Sequence, residues 1–283
     1  MHLAEFLTKA GRRLHHAGIA GARLEAELLL QHVLNCSRST LYSNPHQALS
    51  PSQSEAFTLL VEKRCRRIPL QHLIGHWEFW SLDFLVSPDA LIPRPETEFL
   101  LECVLARVDG EHTSLVLDLG TGSGVIAIIL ALEMSAAVLA TDLSLAALSV
   151  AEQNLIRHAC ADQVTLVASD LFGAVSPDRQ FDCIVTNPPY VGLTEKETLE
   201  PEVRDHEPHL ALFAGQDGLD CITAVLCEAP LYLRSGGNLF IEIGATQGRQ
   251  VLGLAEEAGR YSAFSVLKDW SGRDRVFHGM VRA

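Results

Sequence analysis

Apolar and polar positions follow three textures along the 283 residues. In the first 70, apolar residues recur at helical spacing. Leu3, Phe6, Leu7, Ala10, Leu14 and Ala17 predict one helix, and Leu28, Leu29, Val33 and Leu34 a second, with Gly18 and Gly21 between them. Ser50-Pro51-Ser52-Gln53 marks a helix start, with Ser50 as cap and Gln53 closing a capping box. Phe57, Leu60, Val61, Cys65 and Ile68 continue that helix on one face until Pro69, which is expected to end it. From Leu73 to Val86 the texture turns aromatic (Trp77, Phe79, Trp80, Phe84) and predicts a hairpin turning at Ser81-Leu82-Asp83. Pro93 and Pro95 hold the next segment extended, and Thr97, or Glu96 beside it, is expected to start a helix through Val108.

From Ser114 onward strands and helices alternate. Strands are predicted at Leu115–Leu119, Ala137–Thr141, Val164–Ala168, Phe181–Thr186 and Asn238–Ile243. Helices are predicted at Val125–Glu133, Leu145–His158, Ala224–Leu233 and Thr246–Ala258. Ser262–Lys268 and Arg275–Val281 read as a closing antiparallel pair. Alternation of this kind means an α/β fold with a doubly wound, mainly parallel sheet, binding its ligand at the carboxyl ends of the strands. The division expected is a helical domain at 1–70, a hairpin linker at 71–95 and the α/β domain at 96–283.

Charge narrows the function. With 22 Lys+Arg against 35 Asp+Glu the net charge is −13, a poor surface for coating nucleic acid, where phosphate contacts supply most of the affinity. Protonating all 12 His would bring that to −1, so solubility should fall near pH 5–6. The longest apolar run, Val125 to Leu132, falls short of the ~18–20 residues of a membrane span. Met1 to His16 carries Glu5, Lys9, Arg12 and Arg13 and has no signal-peptide core. Seven Cys without a C-x-x-C pair predict reduced core thiols rather than zinc or a disulfide framework. His15, His16 and His206 lack ligand spacing, so no metal is expected. The basic run Lys63-Arg64-Arg66-Arg67 is open to an RNA contact but reads more readily as a solvated helix face.

Asp118-Leu119-Gly120-Thr121-Gly122-Ser123-Gly124 falls where the first strand meets a helix. The glycines allow close backbone approach, and a helix N-terminus offers free N–H groups. Val125 stands where the dinucleotide fingerprint has its third glycine, which argues against a nicotinamide dehydrogenase, and no Lys follows as in a P-loop. Asp142, ending the next strand, suits the two ribose hydroxyls of a nucleoside. Asp170, after the third, suits an adenine amino group, with Leu171 and Phe172 as an apolar wall. Together these resemble the S-adenosylmethionine-dependent methyltransferase superfamily.

Asn187-Pro188-Pro189-Tyr190 follows the fourth strand. Two prolines remove two N–H donors, Asn187 adds a side-chain acceptor, and Tyr190 adds a flat face. Such acceptors suit a planar –NH2 group, aimed at a methyl group about 3–3.5 Å away. The combination is seen in amino-methyltransferases acting on adenine, guanine or glutamine amides.

Leu91-Ile-Pro-Arg-Pro-Glu-Thr-Glu98, Asp118 to Gly124, Phe181 to Tyr190, Glu207-Pro208 with Gly215-Gln-Asp-Gly218, and Ile241-Glu-Ile-Gly244 occur in that order. With the helical N-terminal domain, the whole chain resembles the HemK/PrmC family. That resemblance implies a Rossmann-like methyltransferase sheet with an antiparallel last strand. It implies a cytoplasmic enzyme that methylates the glutamine of the Gly-Gly-Gln motif in class 1 peptide chain release factors. It also implies that Gly120, Thr121, Gly122, Ser123, Gly124, Asp142, Asp170, Leu171 and Asn187 bind S-adenosyl-L-methionine or lie against it. Asn187, Pro188, Pro189 and Tyr190 are implied to hold the substrate and serve catalysis. Leu171 stands where some relatives carry an aromatic residue. Two rivals to that activity are an adenine or guanine amino-methyltransferase of nucleic acid and a non-catalytic binding protein. Arg94 and Glu96 are read either at the cofactor mouth or in an ion pair joining the domains. For Glu242 the sequence leaves pocket and backbone partners both open.

Overall fold

The structure is a computed structural model describing residues 2–109 and 115–282; Ser114, where the alternation is expected to begin, lies outside them. Two compact units divide the chain: Met1–His76 with Glu200–His206, and Trp77–Leu199 with Glu207–Ala283. No helix among the described residues is long and apolar enough to cross a membrane.

The first unit is helical: α1 (Leu3–His16), α2 (Ala22–Leu34), α3 (Arg38–Ser43), α4 (Pro51–Cys65) and α5 (Leu70–Ile74). Phe6, Leu14, Leu29, Leu30, Phe57 and Val61 are buried here. The Ser50 box forms as read: the Gln53 N–H donates to Ser50 Oγ at 3.2 Å, and the Ser50 N–H to Gln53 Oε1 at 3.0 Å. The helix stops at Cys65 rather than at Pro69, because Arg67 turns left-handed (φ +67°). Arg64 is not the solvated residue expected. It is buried, and its guanidinium is shared by Glu25 and Glu202, while Arg67 pairs with Glu202 at 2.6 Å.

The second unit opens with the hairpin β1 (His76–Phe79) and β2 (Leu82–Leu85). Its turn is Trp80-Ser81, both left-handed (φ +53° and +58°), not Ser81 to Asp83. A two-residue turn of that hand matches strand twist, and it directs Phe79 and Phe84 inward, edge to face at 6.1 Å. Helix α6 (Pro95–Leu105) starts at Pro95 with Arg94 as N-cap, one residue ahead of Glu96, because proline's fixed φ suits the first helical position.

The rest alternates: β3 (Leu115–Leu119), α7 (Val125–Met134), β4 (Ala137–Asp142), α8 (Leu145–Arg157), β5 (Val164–Ala168), β6 (Phe181–Thr186), α9 (Pro201–His206, in the helical unit), α10 (Asp220–Glu228), β7 (Leu233–Glu242), α11 (Gly248–Ala258), β8 (Tyr261–Lys268) and β9 (Asp274–Val281). The sheet order is β5-β4-β3-β6-β7-β9-β8, parallel except for β9, which runs antiparallel to β7 and β8. Leu100, Val104, Ile128 and Ile129 are buried in one core, and Ile222, Val225, Leu226 and Val251 in another. The helix expected at Ala224–Leu233 starts earlier, at Asp220, and ends at Glu228. Pro230 cannot donate to a continuing helix, so the chain passes through a single 3-10 turn and Leu233 already belongs to β7. β4 and β6 flank β3 on opposite sides, and the carboxyl end of β3 is therefore the crevice where a doubly wound sheet holds ligand.

Candidate active site

The loop after β3 is built by its own backbone. Gly120, Gly122 and Gly124 all take positive φ, and the Gly120 and Thr121 N–H groups both donate to Thr141 O at 2.8 Å. The Gly122 N–H donates to Asp142 Oδ2 at 2.8 Å, and the Ser144 N–H to Asp142 Oδ1 at 2.8 Å. Loop amides expected to be free are thus engaged within the fold. Each carboxylate oxygen of Asp142 keeps a second lone pair. Asn154, fully buried on α8, was not foreseen: its Nδ2 donates to Ser123 O at 2.9 Å, and its Oδ1 accepts the Leu85 N–H at 2.8 Å. A lone amide on an apolar helix face (Ala147, Val150, Ala151, Leu155) is the signal that marks it.

A cavity of about 460 Å³ opens over this loop. It brings together Gly120, Thr121, Gly122, Ser123, Asp142, Asp170, Leu171, Asn187 and Pro189. Gly124, Pro188 and Tyr190 are not among its lining residues. Nor is Phe172, expected in the adenine wall. It is buried and stacks on Tyr232 at 4.5 Å, whereas Leu171, Leu143 and Ala224 are apolar residues of the cavity lining. Leu171 reaches that position in a left-handed conformation (φ +43°), its carbonyl held by Ser169 Oγ at 2.8 Å.

The lining is acidic. Asp89, Asp142, Asp170 and Asp220 face one cation, Arg94, which is itself paired with Glu207. Glu207 also accepts the Ile92 N–H, so the pair joins two segments of the sheet unit rather than two domains. Beneath the loop, burial pushes the Asp118 carboxyl up to about 7; the nearby Asp142 charge adds to this, and Thr121 partly opposes it. Among the described residues, no hydrogen bond of regular geometry reaches either Asp118 oxygen or the Thr121 hydroxyl.

Asn187 follows β6. Its Nδ2 donates to Thr97 Oγ1 at 3.1 Å, and Thr97 Oγ1 donates to Glu242 Oε2 at 2.8 Å. Tyr190 OH donates to the other Glu242 oxygen at 3.2 Å. The alternatives open for Glu242 thus resolve to side-chain hydroxyls. Burial pushes its carboxyl up to about 7, against the pull of Thr97, Arg275 and Tyr190, and it pushes the Tyr190 phenol up as well; Glu96 raises both. The Tyr190 carbonyl accepts from Gln247 Nε2 at 2.9 Å, and Gln247 Oε1 accepts the Gly244 N–H at 2.8 Å. Gly218 (φ +73°) lies so close that a Cβ there would meet Tyr190 O at 2.1 Å.

The profile of the PrmC N-terminal domain matches residues 5–75, and that of the methyltransferase small domain residues 95–202. A release factor glutamine methyltransferase of Cereibacter sphaeroides is 45% identical over 100% of both chains. One from Moorella thermoacetica is 43% identical over 98% of each. The chain belongs to the release factor glutamine methyltransferase family. Solved structures are similar at the level of the fold. A 16S rRNA methyltransferase from T. thermophilus, in complex with AdoMet and guanosine, shares 24% identity at a TM-score of 0.54, over 73% of this chain and 50% of that one. A methyltransferase from Pyrococcus furiosus shares 18% at 0.53, over 72% and 91%. The sheet described above, mainly parallel with an antiparallel last strand, is of the Rossmann-like methyltransferase kind.

Proposed function

We propose that this enzyme transfers a methyl group from S-adenosyl-L-methionine to the side-chain amide nitrogen of the glutamine in the Gly-Gly-Gln motif of class 1 peptide chain release factors. The observation that carries the reading is the meeting of the glycine loop, Asp142 and Asn187 in one acidic cavity of a chain 45% identical from end to end to such an enzyme.

The residues suit the cofactor. Asp142 retains lone pairs for ribose hydroxyls, Asp170 an acceptor for an adenine amino group, and Leu143 and Leu171 an apolar wall. Gly120, Gly122 and Ser123 bring small residues and backbone to the cavity wall, leaving room for a ligand to approach closely. Four aspartates against a single, already paired arginine favour a cationic ligand. When bound, the cofactor supplies a methyl group on a sulfonium, activated for in-line displacement.

The chain's task is orientation. An amide nitrogen is a weak nucleophile because its lone pair is delocalised. Asn187 Oδ1 and the Pro188 carbonyl accept its two N–H bonds, which turns the nitrogen toward the methyl group. The same acceptors stabilise the positive charge growing on nitrogen, so the scheme needs no strong base at the moment of transfer. Gly-Gly beside the glutamine leaves no side chains to strike the rim.

A slot for one amide does not select one protein. We assign the second contact to the helical unit, residues 1–70, and the enzyme itself to the cytoplasm, where release factors work. The test is mass spectrometry of the release-factor glutamine peptide after incubation with enzyme and cofactor, with ribosomes and DNA offered in parallel. A methylated glutamine supports the reading. Methylated nucleic acid with an unmodified release factor overturns it.

A further inference from the structure

Glu242 ends β7 directly after the apolar run Leu239-Phe240-Ile241, and it is fully buried. An ionised carboxylate in such a place costs several kcal/mol unless its oxygens are well satisfied. Both oxygens here are given to hydroxyls, Thr97's and Tyr190's. Thr97 is also buried, on the first turn of α6, and receives the Asn187 amide. Nothing in the function above employs Thr97 or Glu242.

We infer that Thr97 and Glu242 are positioning residues that fix which way round the Asn187 amide stands, so that its oxygen faces the substrate nitrogen. The inference rests on the reading that Asn187 receives the substrate amide. An ionised carboxylate only accepts hydrogen bonds. A threonine hydroxyl has one proton, and Glu242 Oε2 takes it at 2.8 Å. What Thr97 has left for Asn187 is a lone pair, so Asn187 must turn its NH2 group to Thr97, as it does at 3.1 Å. A reversed amide would set oxygen against oxygen at Thr97 and present N–H groups to the substrate's own N–H groups. That pose holds the substrate nitrogen away from the methyl group. The choice between the two poses is made by a charge on β7, passed on through one hydroxyl. The tyrosine of the same loop is tied to the other oxygen of that carboxylate, so one buried group sets two residues of the Asn187–Tyr190 segment.

The experiment compares Thr97→Val, Thr97→Ser and wild type on whole release factor at about pH 8, where Glu242 is ionised. Valine keeps the shape and loses the hydroxyl; serine keeps the hydroxyl. Thr97→Val should lower kcat about thirtyfold, with KM for release factor and Kd for cofactor within about threefold of wild type. Thr97→Ser should stay within about threefold of wild type in kcat. In single-turnover assays, Thr97→Val added to Asn187→Ala should cost nothing further, since a positioning residue has nothing left to position. If the valine variant does not fold, Thr97→Ala is held to the same criteria. The inference is overturned if Thr97→Val keeps its kcat, if serine is as impaired as valine, or if the losses add in the Asn187→Ala background. Failure of wild type to methylate release factor would instead overturn the function proposed above.

Discussion

Replacing Gly218, which does not itself line the cavity, with alanine should disable the enzyme. The added Cβ would stand 2.1 Å from Tyr190 O, 2.7 Å from Tyr190 C and 2.9 Å from Gly192 N. All three are backbone atoms, so no side-chain rotation relieves the contact. Real Cβ atoms keep at least 3.0 Å from such neighbours, and the Tyr190 carbonyl must therefore retreat by about 0.9 Å. Gln247 Nε2 ties that carbonyl at 2.9 Å and the Gly218 carbonyl at 3.3 Å, so the shift is passed into the Asn187–Tyr190 segment or breaks these bonds. Misplacing a positioning group by about 1 Å costs on the order of a hundredfold in rate, or about 2.7 kcal/mol. Alanine at φ +73° adds about 1–2 kcal/mol of backbone strain, which in a unit of this size lowers Tm by roughly 2–8 °C. Steady-state methylation of release factor should show a kcat about a hundredfold down. Calorimetry should show cofactor affinity within about threefold of wild type, because neither Gly218 nor Tyr190 lines the cavity. A Gly218→Ala enzyme that folds and keeps kcat within about threefold of wild type would refute the claim that this loop buttresses the Asn187–Tyr190 segment.

Asp142→Ala should weaken cofactor binding by about 1–3 kcal/mol in calorimetry, through lost charge-assisted bonds and a loosened Gly122 N–H; unchanged affinity would remove Asp142 from the ribose site. Asn187→Ala should abolish most methyl transfer with cofactor affinity within about tenfold. Asn187→Asp should also be slow, because it cannot donate to Thr97 and sets a second carboxylate against the hydroxyl that Glu242 already holds; an Asp variant with full turnover would sink the alignment scheme. Glu242 should leave a mark on stability against pH. Burial moves its pKa from 4.5 to about 7, so between those values the folded chain keeps a proton that the unfolded chain has lost. Stability from this group is therefore full below about pH 4.5, falls as pH rises toward about 7, and is flat above, by a total on the order of 3 kcal/mol. The difference in thermal stability between wild type and Glu242→Gln should follow that fall, and a pH-independent difference would contradict it.

The sheet was the most legible part of the sequence. Leu115–Leu119, Val164–Ala168 and Phe181–Thr186 read as strands to the residue, because short, mainly apolar runs that stop at Gly120, at Ser169-Asp170 and at Asn187-Pro188 leave little freedom in where a strand ends. The hairpin turn was misread because Ser-Leu-Asp looks like turn chemistry, whereas Trp80 is placed in the turn by the inward pairing of Phe79 and Phe84. The loop and Asp142 were legible because both follow strand ends. The Asn187–Thr97–Glu242 chain was not, since its members are 90 and 145 positions apart and each looks ordinary alone. One warning was present: a carboxylate inside Phe240-Ile241-Glu242-Ile243 is too expensive to bury without a task. Arg94 and Glu207 hid in the same way, 113 positions apart.

The segment Glu200–His206 gives the helical unit an ancestry problem. Seven residues encoded deep in the second half of the chain belong to the first half's fold, and among them Glu202 serves both Arg64 and Arg67. A fragment cut after residue 76 would leave Arg64 with Glu25 as its one remaining acidic partner of the two described. A graft of foreign helices onto this catalytic half would meet a Glu202 with no arginine to receive it. The two halves are thus not interchangeable cassettes. A recombination event, natural or in the laboratory, that trades the N-terminal helices must carry residues 200–206 along with them, and a working chimera needs two crossover points more than a linear map of the chain would suggest.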